Sequence, residues 1–219
     1  MSVTRLTSAL AAGVLGAVTL TAAPPIAVAQ PPTAAAEPQR ARSLATVLAA
    51  DGNRLDRNWQ DFDVLDRSVR RVLAAKPGSS VAVLADGSTR LTGFLPTDHA
   101  FRGLVTDLTG KRRHTERGVL RTFNRIVDVG TLENVLLYHV VPRSTITYRQ
   151  ARQADGAKLR AALPGATVRV DVTKKHNVFL ADADRNDRNP RVLRSLRNLN
   201  QGNKQIAHGI NRVLRPVNL

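Results

Sequence analysis

NVLLYHVVP, residues Asn134 to Pro142, carries a Tyr and a His inside an otherwise apolar run. The run is strand-like, and a lone His in such a setting is more often a hydrogen-bonded core residue than a ligand. If His139 and the later His208 both point inward, each needs a partner. An unpaired buried polar group costs about 1–3 kcal/mol. The Tyr138–His139 pair is therefore expected to be architectural first. No GxSxG, CxxC, HExxH or P-loop pattern occurs in the chain, so function must be argued from architecture and charge.

Working outward, VLRTFNRIV upstream reads as a helix, with Gly130 as its C-terminal cap and Thr131 as the cap of the next turn. In FLPTDHAF a strand ends at Pro96, Thr97 caps a new helix and Asp98 suits that helix's positive end. VAVLA and TRLTGFL flank the turn signal DGS and predict a hairpin. Earlier, a short helix lies near Ser43 to Ala50, and FDVLDRSVRRVL follows as an amphipathic one. Phe62, Leu65, Val69, Val72 and Leu73 share its apolar face, with Asp63–Arg67 and Asp66–Arg70 as i,i+4 pairs opposite.

Downstream, ATVRVDV alternates strictly and pairs with NVFLAD across TKKH. NPRVLRSLRNLN predicts a helix capped by Asn189 with Pro190 in its first position. Val192, Leu193, Leu196 and Leu199 would face inward, and Arg191, Arg194 and Arg197 would form an outward stripe. KQIAHGINRVL closes the chain as a strand. Helices and scattered hairpins without regular βαβ alternation give an α+β class in a single domain.

Three of these segments, taken in order, resemble the fasciclin domain. Thr92, Phe94, Pro96, Thr97, Ala100 and Phe101 match that family's first motif, and Leu136 to Pro142 match the second, around its Tyr-His pair. His208, Ile210, Val213, Leu214 and Pro216 match the third, with Asn211 in place of the usual Asp. The resemblance spans about residues 43–219. Insertions are expected around AAKPGSSVAVLADGSTR, in the connector 107–118 and in DADRNDRNPRVLRSLRNLNQGNK. It implies a β-sandwich with packed helices and a role in adhesion or extracellular interaction rather than catalysis. It also implies an adhesive role for Tyr138 and His139 in some animal members, one that transfers poorly to a bacterial chain.

The N-terminus has a positive Arg5, an apolar core from Leu10 to Leu20 that is too short for a membrane span, and the small residues Ala27 and Ala29. It predicts a signal peptide over 1–29, followed by a Pro/Ala-rich flexible leader over 30–42 and the domain over 43–219. The expected location is secreted, extracellular or associated with the cell surface, with no transmembrane segment in the mature chain. There is no Cys, so stability must come from packing alone. Removing Arg5 with the leader takes the formal charge from +16 to +15, and the excess of Arg over Lys suits a GC-rich bacterial genome.

Such a charge favours polyanions: cell-wall phosphates, acidic polysaccharide or anionic membrane. Nucleic acid is the least expected of these, because 4% aromatic content leaves few rings for base stacking. The candidate polyanion-binding residues are Arg188, Arg191, Arg194 and Arg197, with Lys111, Arg112 and Arg113 of the basic connector. The alternative is a merely solvated face. DADRNDRN places Asp182, Asp184 and Asn186 at alternating positions, yet Asp187 and Leu193 stand where a calcium loop needs Gly and a carboxylate. His99 and His114 lack a second ligand at helical spacing. Neither a metal nor a cofactor is expected. Ser43, Ser68, Ser144 and Ser195 lie in no elbow-like sequence, so a hydrolase is the weakest reading. The expected partner is an extracellular or cell-surface protein or polysaccharide, or an anionic envelope polymer.

Overall fold

The computed structural model describes residues 41–50, 52 and 54–217. The signal peptide expected over 1–29, and most of the leader expected over 30–42, lie outside the described residues.

Ser43 caps the first helix, α1 (Leu44–Leu48), with its hydroxyl accepting from the Thr46 amide. α2 (Asp63–Ala75) buries Leu65, Val69 and Val72, and the predicted Asp66–Arg70 pair closes at 2.6 Å. β1 (Leu91–Pro96) leads into α3 (Asp98–Thr109), capped by Thr97 as the sequence predicts and ended by Gly110 at a φ of 66°. α4 spans Glu116–Ile126 and α5 Val129–Tyr138. β2 (Val140–Pro142) and a short α6 (Tyr148–Ala151) follow. β3 (Lys158–Arg160), β4 (Thr167–Val172), β5 (Val178–Ala181) and β6 (Gln205–Ile210) complete the order.

The strands form two three-stranded sheets. In one, β1 is central, antiparallel to β2 and parallel to β6 from Leu91↔Gln205 to Pro96↔Ile210. Every residue of β1 and β6 is buried, as a pair covered on both faces must be. Leu91 and Leu95 join the core of the helices with Val64, Phe101 and Phe123. Phe94 and Ile210 face a second core with Val168, Val170 and Leu180 of the antiparallel β3-β4-β5 sheet. The molecule is α+β, with helices on one face of the central sheet and a second sheet on the other.

Four expectations from the sequence are corrected. VAVLA is a 3-10 helix over Ser80–Ala85 rather than a hairpin strand, with Ser79 accepting from Val81 N and with Val81 and Leu84 buried. The i,i+3 spacing of those two side chains suits three residues per turn, and β1 finds its partners in β2 and β6 instead. Gly130 and Thr131 lie inside the first turn of α5, whose cap is Asp128, accepting from Thr131 N at 3.0 Å. Tyr138 ends that helix and His139 is its C-terminal cap, so only Val140 to Pro142 of the strand-like run is a strand.

The fourth correction concerns NPRVLRSLRNLN, which is extended apart from a 3-10 turn at Arg194–Leu196. Val192 N donates to Val178 O at 2.9 Å, Leu193 N to Gly209 O at 2.8 Å and Leu199 N to Ala207 O at 2.9 Å. The segment thus fastens β5 to β6, and those backbone bonds take the groups a helix would have used.

Candidate functional site

The three sequence motifs meet in space. Phe94 N donates to His139 O at 2.9 Å, and Leu214 N donates to His139 Nε2 at 2.9 Å. The rings of Phe94 and His208 stack with centroids 6.0 Å apart. His139 Nδ1 lies 2.6 Å from Val135 O, so the proton sits on Nδ1 and both nitrogens are used. His208 is the mirror case: its Nε2 donates to Ile146 O at 2.8 Å and its Nδ1 accepts from Asn198 N at 3.2 Å. Burial lowers both imidazoles, His139 to about 4. The Tyr138 hydroxyl donates to Thr167 O at 3.0 Å, and burial, then Asp182, pushes it up to about 12. With 1% of Tyr138 and 4% of His139 exposed, neither presents a contact surface.

The acidic loop after β5 is closed by arginines. Arg215 pairs with Asp184 at 3.0 Å, Asp107 at 2.6 Å and Asp187 at 3.3 Å, and Arg212 also reaches Asp187. Asp182 accepts the amides of Asp184 and Arg215. These carboxylates are committed to cations and amides of the fold.

Arg188, Arg191, Arg194 and Arg197 are all exposed, but on an extended segment they divide between two concavities. Arg188 and Arg191 share one of about 350 Å³ with His99 and Arg212. Burial, then Arg102, Arg112 of the connector and Arg212, lowers His99. Lys111 is exposed too, and Arg113 half-buried. Arg194 and Arg197 line the other concavity, of about 520 Å³, with Arg149, Arg152 and Lys175, and among the described residues no carboxylate lines it. Arg194 Nη2 donates to Lys175 O at 3.1 Å and Arg197 Nη1 to Arg194 O at 2.9 Å. Arg197 also lies 5.8 Å from the Tyr148 ring centroid. Two of its five cations are therefore held in place before any ligand arrives. Arg149, Arg152 and Lys175 were not singled out in the sequence, because only the fold brings them to Arg194.

A second group was also missed. Asp61, Asp98 and Glu116 each present a carboxylate oxygen within 4.8 Å of the others. Asp98 and Glu116 open α3 and α4, where the positive helix ends favour acids. Asp98 does not cap its own helix; its Oδ1 accepts from Val64 N at 3.0 Å, in the first turn of α2. Burial, then Asp61, Glu116 and Asp63, pushes Asp98 up to about 9 against the opposing Val64 bond. Burial, then Asp61, raises Glu116 to about 7. The Asp56 amide approaches Glu116 and tempers that rise without meeting hydrogen-bond geometry. No sequence spacing marks this group, since its members come from three separate elements.

The family model of the fasciclin domain matches residues 70–216, two thirds of the chain and all three motifs. The chain belongs to the fasciclin domain family. Fasciclin domains are adhesion- or interaction-type modules, generally non-catalytic and typically extracellular or at the cell surface. Among solved structures, the chain is similar to a FAS1 domain pair from the insect cell adhesion molecule fasciclin I. The identity is 18% and the TM-score 0.44, over 68% of this chain and 44% of that one. The chain thus spans less than half the length of that structure. No curated protein sequence matches it. Where this fasciclin domain carries Asn211 for Asp, the Asn Oδ1 accepts from Arg191 N at 2.7 Å, so the acceptor is kept and the charge dropped. No helix among the described residues is long and apolar enough to cross a membrane.

Proposed function

We propose that this fasciclin domain is the 43–219 body of a secreted, non-enzymatic protein, preceded by a signal peptide over 1–29 and a leader over 30–42. It works in adhesion at the cell surface or in the extracellular matrix. It does so by holding an anionic polymer of the envelope or matrix rather than through the buried Tyr138–His139 pair. One observation carries the reading: the cavity of Arg149, Arg152, Lys175, Arg194 and Arg197, with no carboxylate among the described residues of its lining. Five unneutralised cations around one concavity repel each other, and a phosphate or sulfate chain relieves that repulsion. A hydrolase reading gains no support, since both buried histidines spend both nitrogens on backbone groups.

The test is binding of fluorescent inorganic polyphosphate, and sedimentation with isolated cell envelopes, across a salt series. Arg194→Ala/Arg197→Ala is expected to weaken both at least tenfold, while Arg191→Ala, which belongs to the other concavity, changes them little. Envelope binding that ignores salt and both variants would sink the electrostatic reading and leave a specific adhesive surface elsewhere on the domain.

A further inference from the structure

Asp98 and Glu116 are fully buried, and Asp98 Oδ2 and both Glu116 oxygens have no hydrogen-bond partner among the described residues. A buried carboxylate without partners costs several kcal/mol unless something neutralises it. Each of the two residues presents a carboxylate oxygen within 4.8 Å of the other and of one from half-buried Asp61. Among the described residues no Lys or Arg salt bridge reaches Asp98 or Glu116, in a chain with a formal charge of +16.

We infer that Asp61, Asp98 and Glu116 form a calcium-binding site that ties the loop before α2 to the first turns of α3 and α4. Three carboxylates and no nitrogen or sulfur ligand select a hard cation. Calcium, at about 2.4 Å from each ligand, spans about 4.8 Å between opposite oxygens, whereas magnesium spans only about 4.1 Å. The mutual separation within 4.8 Å lies inside the span of a calcium ligand shell. The backbone already frames the site: Asp98 N donates to Asp61 O at 3.0 Å, and His99 N to Trp59 O at 2.9 Å. Asp61 keeps partial exposure and gives the ion its way in. Asp61 precedes the stretch matched by the family model, so the complete ligand set draws on a part of the chain outside it.

The competing account is a shared proton, in which one carboxyl donates to its neighbours and no ion binds. Trp59, the sole Trp, lies two residues before Asp61 and makes a direct readout available. Terbium added to the purified full chain at neutral pH is expected to show Trp-sensitised luminescence that calcium displaces. Calcium at about 100 times its Kd should raise Tm by about 5–10 °C over the chelated protein. Glu116→Gln and Asp61→Asn should each abolish both responses. In chelator, Glu116→Gln should melt no lower than wild type, because it removes a buried charge with no partner. Should Glu116→Gln fail to fold, Asp61→Asn, at a half-exposed position, decides alone. Absence of luminescence and of a calcium-dependent Tm in wild type would overturn the site in favour of the shared proton. Responses that persist in both variants would overturn it by placing the ion elsewhere.

Discussion

The imidazole of His139 gives a proton from Nδ1 to the Val135 carbonyl and takes one at Nε2 from the Leu214 amide. A second proton would set N–H against N–H in a site closed to water, so burial holds the group neutral, lowered from 6.5 to about 4. The unfolded chain binds this proton more readily than the folded one throughout that interval. The contribution to stability is therefore complete above pH 6.5 and lost as pH falls toward 4, to a total of about 3 kcal/mol. His208, lowered by the same cause, adds in the same direction. Urea melts of wild type are expected to show stability falling steadily with pH across that window. His139→Ala should start about 2–4 kcal/mol lower at pH 7, from the cavity and the orphaned Leu214 amide, and should lose less on acidification. Equal pH slopes in the two proteins would show that His139 is not the group titrating.

At the scale of elements, Gly209 on β6 marks where the 189–199 segment crosses the sheet. A Cβ there would stand 2.5 Å from Leu196 Cβ, at the 3-10 turn over the strand. That contact involves a side-chain root, which cannot swing away, so Gly209→Ala should cost about 1–3 kcal/mol in chemical denaturation. Recovery in Gly209→Ala/Leu196→Gly, measured against Leu196→Gly alone, would assign the cost to this crossing. The same segment shows why some elements were legible in the sequence and others not. β4, β6, α2 and α3 carry their own periods, and α3 its own Thr97 cap, so local chemistry sufficed. In the 189–199 segment the apolar spacing of Val192, Leu196 and Leu199 suits a helix equally well. The choice was made by β5 and β6, whose edge groups lie far away in the chain. NVLLYHVVP divides for a similar reason. Its apolar residues face both cores, and the helix runs until His139 turns its ring nitrogens to Val135 and Leu214.

For the whole molecule, the arrangement of charge matters more than its sum. Asp98 and Glu116 sit buried with half-buried Asp61, and four other acids are tied to Arg212 and Arg215 or to amides around them, so they do not screen the cavity at Arg194 and Arg197. That cavity was half legible: Arg194 and Arg197 stood out as a charge stripe, but its other wall comes from α6 and the β4–β5 turn. The expected signature is quantitative. Each cation that neutralises a phosphate of a flexible chain contributes about 0.7 to the slope of log K against log salt. With five cations engaged, the polyphosphate slope should be about −3.5. Arg194→Ala/Arg197→Ala should bring it to about −2, and Lys175→Ala alone should remove about 0.7. A slope unchanged in these variants while affinity falls would mean that the arginines shape the cavity without touching phosphate. A slope that drops in step with each removed cation would make this concavity the anion-binding face of the domain.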